Sequence, residues 1–156
     1  MNIRLLTIGK THTKYIQEGI GEYLKRLRYY IPFEIVELPD ARISSKSSES
    51  QQKEKEADIF LDKISPSDCV VILDERGKEL TSVDFSKFIE KNILAAKKSM
   101  VFLIGGPYGF SSKIYERADH KISLSKMTFT HEMVRLFIAE QIYRAMTIMR
   151  GESYHH

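Results

Sequence analysis

Met100-Val-Phe-Leu-Ile-Gly-Gly-Pro-Tyr-Gly109 decides how the chain reads. Five apolar residues break into three glycines and a proline, and the polar pair Ser111-Ser112 then opens a helix. A short, wholly apolar run bounded by glycine is the pattern of a strand buried on both faces, as in a parallel sheet covered by helices. Glycine at its carboxyl end permits φ > 0 and a close approach of backbone to a ligand. The stretch is therefore either a ligand-binding edge or an ordinary tight turn, and the loop alone does not separate the two.

Working outward, four more strands are predicted: Ile3 to Ile8 ending at Gly9, Phe33 to Leu38, the fully apolar Val70 to Leu73, and Lys121 to Leu124. Helical spacing places Ile16, Ile20, Tyr23, Leu24 and Leu27 on one stripe of a first helix. Ala41 to Gln52 reads as a mobile polar loop, followed by a charged helix from Lys53 to Ile64 with Ile59, Phe60 and Ile64 inward. Asp74 to Lys78 reads as a polar turn. Further helices run from Ser82 to about Lys98, from Lys113 to Ala118, and from His131 to Arg150, where Gly151 suits the stop. The last helix is apolar over most of its circumference, so both its sides need cover, and a subunit interface is the simplest cover in a chain this small. Alternating strands and helices make this an α/β protein with a mostly parallel sheet sandwiched by helices, one domain over residues 1–156.

Composition sets the outer bounds. The 156 residues are 42% hydrophobic and 29% charged, with 24 Lys+Arg against 21 Asp+Glu for a net charge of +3. That mild bias permits a polyanionic partner without demanding one. Cys69 is the only cysteine and opens an apolar run, which suits a small buried hydrophobe rather than a nucleophile. No segment reads as a signal peptide or a membrane span, and a cytoplasmic protein is expected.

In parallel sheets ligands sit outside the carboxyl ends of the strands. Three segments end there with unusual chemistry: Leu73-Asp74, Ile104 to Gly109, and Leu124-Ser-Lys-Met-Thr-Phe129. The glycine loop matches neither the GxxxxGK[ST] nor the G-x-G-x-x-G pattern, and no metal spacing or H-E-x-x-H helix is present, so no metal is expected. Met127 and Phe129 either pack beneath the last helix or form a slot for a flat apolar group. His131 and Arg135, four apart, share a face at the start of that helix, where unpaired N–H groups favour an anion such as RNA phosphate. Tyr154-His155-His156 is either a frayed tail or a set of stacking and proton-transfer groups.

These residues resemble the bacterial ribosomal RNA large-subunit methyltransferase H family of the SPOUT class. The likeness covers the whole chain and is carried by Leu103 to Gly109, Leu124 to His131 with Arg135, Glu140 to Ala145, and Tyr154-His155, with Ile8-Gly9, Leu73-Asp74 and Gly77-Lys78 agreeing. The resemblance implies methyl transfer from S-adenosylmethionine to N3 of a pseudouridine in 23S rRNA within the 70S ribosome. It also implies a deep C-terminal trefoil knot, a topology that general rules of chain path would exclude. Carried over, Leu73, Gly105, Leu124, Ser125, Lys126, Met127, Thr128 and Phe129 would hold the cofactor. His131, Arg135, Tyr154 and His155 would lie by the substrate, the last two entering from the partner of a homodimer. Thr130 stands where the family often has proline, and His156 where a more permanent cation is common.

Loss of the N3 imino proton must accompany attack, and His131 or His155 would assist it while Arg135 places the RNA or stabilises the developing anion. The reading from a different class is a non-enzymatic α/β dimer that binds RNA or ribosomes through basic helix faces, and a third is a small nucleotide-binding regulator.

Overall fold

A computed structural model describes residues 1–40 and 47–156. Among these, five strands alternate with five helices: β1 Asn2–Ile8, α1 Lys14–Leu27, β2 Phe33–Leu38, α2 Glu49–Leu61, β3 Cys69–Glu79, α3 Ser82–Leu94, β4 Ser99–Ile104, α4 Ser112–Arg117, β5 His120–Ser123 and α5 His131–Met149. The strands form one sheet in the order β2-β1-β4-β3-β5, and every adjacent pair is parallel. All five carboxyl ends therefore share one edge.

The central strand β4 is buried at every position, which is why its sequence carries no polar alternation. Successive residues point to opposite faces. Met100, Phe102 and Ile104 join one core with Ile138 and Ile142 of α5, and Val101 and Leu103 join a second with Phe60 of α2 and Ile114 of α4. Fully burying each such side chain contributes about 1.5–3 kcal/mol. The α5 helix packs between α1 and α3. A Cβ at Gly19 would lie 2.9 Å from Leu136, so the missing side chain lets α1 approach α5 closely. These two neighbours supply much of the side cover that the apolar circumference of α5 requires, while Leu136, Phe137 and Ile148 stay half-buried.

Several boundaries differ from the sequence expectation. The second helix begins at Glu49, not Lys53, because Ser48 caps it: its hydroxyl accepts from the Gln51 amide and the Gln51 side chain accepts from the Ser48 amide, a reciprocal capping box. The loop expected over 41–52 is thus helical from residue 49, and its residues 41–46 lie outside the described residues. The third helix stops at Leu94 rather than near Lys98, because Ala96 turns to φ 54. The largest difference is at Asp74–Lys78, which is no hairpin-like turn. Both Leu73 and Lys78 register with Ile122 of β5, so Asp74 to Gly77 bulge out of a strand that then resumes. Gly77 marks the return, where a Cβ would lie 2.7 Å from the Ile122 backbone.

Candidate active site

The bulge, the glycine loop and the loop after β5 enclose a cavity of about 570 Å³ at the carboxyl edge, within the range of small-molecule sites. Leu73, Ile104, Leu124 and Val134 give it apolar walls, and Asp74, Glu75 and Ser125 give it polar ones. The glycine loop is closed by the Gly109 amide donating to the Gly106 carbonyl at 3.1 Å, with Gly109 at φ +81. A Cβ at Gly105 would lie 3.3 Å from the Gly109 carbonyl and from the Phe110 ring, so position 105 is a cradle that a side chain would crowd.

The loop Leu124 to Phe129 is held from beneath. Ser123 donates to the Ser125 carbonyl at 2.8 Å, and the Met127 amide donates to the Ser125 hydroxyl at 3.0 Å. Phe129 packs edge-on against Phe137 of α5 at 5.0 Å, whereas Met127 is 75% exposed, so packing on the last helix holds for Phe129 and not for Met127. Thr128 donates to Glu75 at 3.0 Å, and Lys126 lies 3.7 Å from Glu79. These contacts clasp the loop to the bulge. At the opposite wall the Tyr115 hydroxyl donates to Asp74, and the Arg76 amide donates to Asp74 at 2.8 Å. Burial pushes the Asp74 carboxyl up, but these donors and the Arg76 charge outweigh it and leave it below the usual carboxylate range.

A second cavity of about 610 Å³ lies behind the glycine loop and shares Gly105 to Tyr108 and His131 with the first. His131 therefore borders both. Burial of its ring, then the Arg135 charge, hold its pKa below the ordinary value, against a backbone hydrogen bond at Gly105. Thr130, where the family resemblance suggested proline, is the N-cap of α5 and accepts from the Met133 amide at 3.2 Å. Arg135 is 2% exposed, donating to the Ile8 carbonyl at 2.9 Å and the Thr11 hydroxyl at 2.8 Å, with Glu37 at 3.8 Å. Glu132 accepts from the His12 and Thr13 amides at 2.9 and 2.8 Å. It thereby satisfies the N-cap amide of α1 from α5, while the Thr13 side chain makes no cap hydrogen bond of its own.

The tail is packed rather than frayed. Gly151 at φ +67 reverses the chain, and the Glu152 amide donates to the Thr147 carbonyl at 3.0 Å. Tyr154 donates to Glu140 at 3.0 Å and rests on Tyr143 and Arg144. Burial and hydrogen bonds with Tyr23 and Glu140 push its hydroxyl well above the usual phenol range, so it stays a donor. His155 Nδ1 lies 3.1 Å from Arg144. Nine residues of helix, about 13 Å, separate Glu140 from His131. One chain thus gathers Leu73, Gly105, the 124–129 loop, His131 and Arg135 at one edge, and carries Tyr154 and His155 elsewhere.

A family model described as "Predicted SPOUT methyltransferase" matches residues 1–155. The chain belongs to the SPOUT methyltransferase family. This SPOUT methyltransferase is 53% identical to ribosomal RNA large subunit methyltransferase H of Parabacteroides distasonis, 52% to that of Flavobacterium johnsoniae and 51% to that of Cytophaga hutchinsonii. Each match covers all of this chain and 99%, 99% and 100% of the relative. Membership sets aside the non-enzymatic dimer and the nucleotide-binding regulator as readings of the chain.

Sequence reasoning missed Glu56, Tyr115 and the contact of Glu132 with the N-cap amide of α1. Glu56 is 2% exposed on α2. Its spacing held the signal, since it precedes Phe60 by four residues and so shares that inward face. The Tyr115 to Asp74 contact joins residues 41 apart and has no local signature.

Proposed function

We propose that this SPOUT methyltransferase moves the methyl group of S-adenosylmethionine to N3 of a pseudouridine in 23S rRNA, on the assembled 70S ribosome and as a homodimer in the cytoplasm. One observation carries the proposal: a cavity built around the Gly105 cradle has His131 at its rim, in a chain about half identical over its full length to proteins named for large-subunit rRNA methylation. No helix among the described residues is long and apolar enough to cross a membrane, and no described group of His, Cys, Asp and Glu suits a metal. The trefoil knot implied by the family would thread the same loops.

The cavity fits the cofactor by shape and by chemistry. Gly105 gives room for close approach, Leu73 and the 124–129 loop present backbone and apolar surface to a flat ring, and Asp74 and Glu75 suit a cationic ligand. S-adenosylmethionine supplies an electrophilic methyl group when bound. The chain's task is then orientation and charge management. His131 is held neutral by its surroundings, which makes it the group to accept the N3 proton. Arg135 keeps the end of β1 against α5 and contributes positive potential to the second cavity. Tyr154 and His155 would complete the site from the partner subunit. The decisive experiment is transfer of labelled methyl to ribosomes lacking the modification, with the product base mapped; no incorporation would sink the proposal.

A further inference from the structure

We infer that Glu56 is a positioning residue for the glycine loop: its buried carboxylate accepts the Gly106 amide and so fixes the Gly105–Gly106 peptide between the two cavities. This rests on the reading of that loop as the cofactor wall. Carboxylates are almost never fully buried without partners, and among the described residues Glu56 accepts from Gln52 Nε2 at 3.0 Å while its carboxylate lies directly against the Gly106 backbone. The need for glycine at 106 follows from the same contact. Gly106 is absent from the glycines with positive φ, so its backbone would accept a side chain. A Cβ there would instead lie 2.4 Å from both Glu56 carboxylate oxygens.

The turn is held on several sides. The Gly106 carbonyl accepts from the Gly109 amide at 3.1 Å, and His131 lines both cavities beside Gly105. Glu56 and His131 thus flank one turn, Glu56 against Gly106 and His131 at the rim of both cavities. Glu56 touches neither cofactor nor target base; it acts by holding the wall that does, and by fixing the surface against which the His131 ring is oriented.

The test compares Glu56→Ala, Glu56→Asp and Glu56→Gln in the full chain by calorimetry with S-adenosylmethionine and by amide hydrogen exchange. Losing the acceptor in Glu56→Ala, or withdrawing it by one methylene in Glu56→Asp, is expected to weaken cofactor affinity and speed Gly106 exchange by about tenfold each, the effect of one lost buried hydrogen bond. Glu56→Gln keeps a carbonyl in place and should stay within about threefold of the parent. Unchanged affinity and exchange in Glu56→Asp, or a Glu56→Gln protein as impaired as Glu56→Asp, would overturn the inference, and neither comparison requires Glu56→Ala to fold. Should the parent chain bind no S-adenosylmethionine, the cofactor reading fails, and Gly106 exchange still decides the role of Glu56.

Discussion

His131 is the residue whose environment makes the sharpest statement about chemistry. Its pKa lies below the ordinary 6.5, through burial and then the Arg135 charge, so the ring is neutral at pH 7. The methylation rate should therefore be flat near neutrality and fall only on an acid limb below pH 6.5. His131→Ala should remove that limb and lower kcat by about a hundredfold. The linked stability has the same sign. The unfolded chain takes up the proton first, so stability is full above pH 6.5 and declines as pH falls below it. Arg135 makes a different kind of prediction. Its guanidinium is buried and bonds the Ile8 carbonyl and the Thr11 hydroxyl, so Arg135→Ala strands both acceptors and Glu37. A loss on the order of 3 kcal/mol in denaturant unfolding is expected, and the acid limb of any remaining activity should move to higher pH, because the Arg135 charge helps hold the His131 pKa down.

At the scale of elements, the site is three loops at one sheet edge, and each is shaped by a local device. Gly105 leaves space that a side chain would fill, 3.3 Å from the Gly109 carbonyl. Gly105→Val should push the loop outward and weaken S-adenosylmethionine binding by about tenfold or more in calorimetry, in line with the 1–3 kcal/mol cost of overpacking. The capping box at Ser48 secures α2, the helix that delivers Glu56. Ser48→Ala should lower unfolding stability by about 1 kcal/mol. The strand and helix types were readable from the sequence because each depends on near neighbours: the apolar run of β4 and the helical stripe of α1 are local patterns. The bulge of β3 was not readable. Asp74 to Lys78 carries turn-like polar residues, and only pairing with Ile122 shows that the strand resumes.

For the whole molecule, the packing of the tail away from His131 is what matters most. Within one chain Tyr154 and His155 pack on Glu140 and Arg144, well along α5 from His131. If the tail serves the partner's site, a chain truncated after Gly151 and a His131→Ala chain should each retain about a hundredth of the parent activity or less alone. Mixed and allowed to exchange subunits, they should recover about a quarter of the parent activity, since half the dimers would carry one complete site. No recovery, with exchange verified, would place the tail's role within its own chain. The apolar circumference of α5 had pointed to a partner; α1 and α3 supply part of that cover, which sequence periodicity does not distinguish from a second subunit.

The sequence by itself determined the α/β class, the single sheet edge where unusual loops gather, and a resemblance that the family match sustains. These follow from short-range patterning and from loop motifs that keep their residue types together. Only the tertiary structure decided that Glu56 lies against Gly106, that Glu132 satisfies the N-cap amide of α1, that Arg135 is buried, and that the tail packs far from His131. Each of those is a meeting of segments distant in sequence, and such contacts are set by how helices pack on the sheet, a long-range geometry that no local pattern encodes.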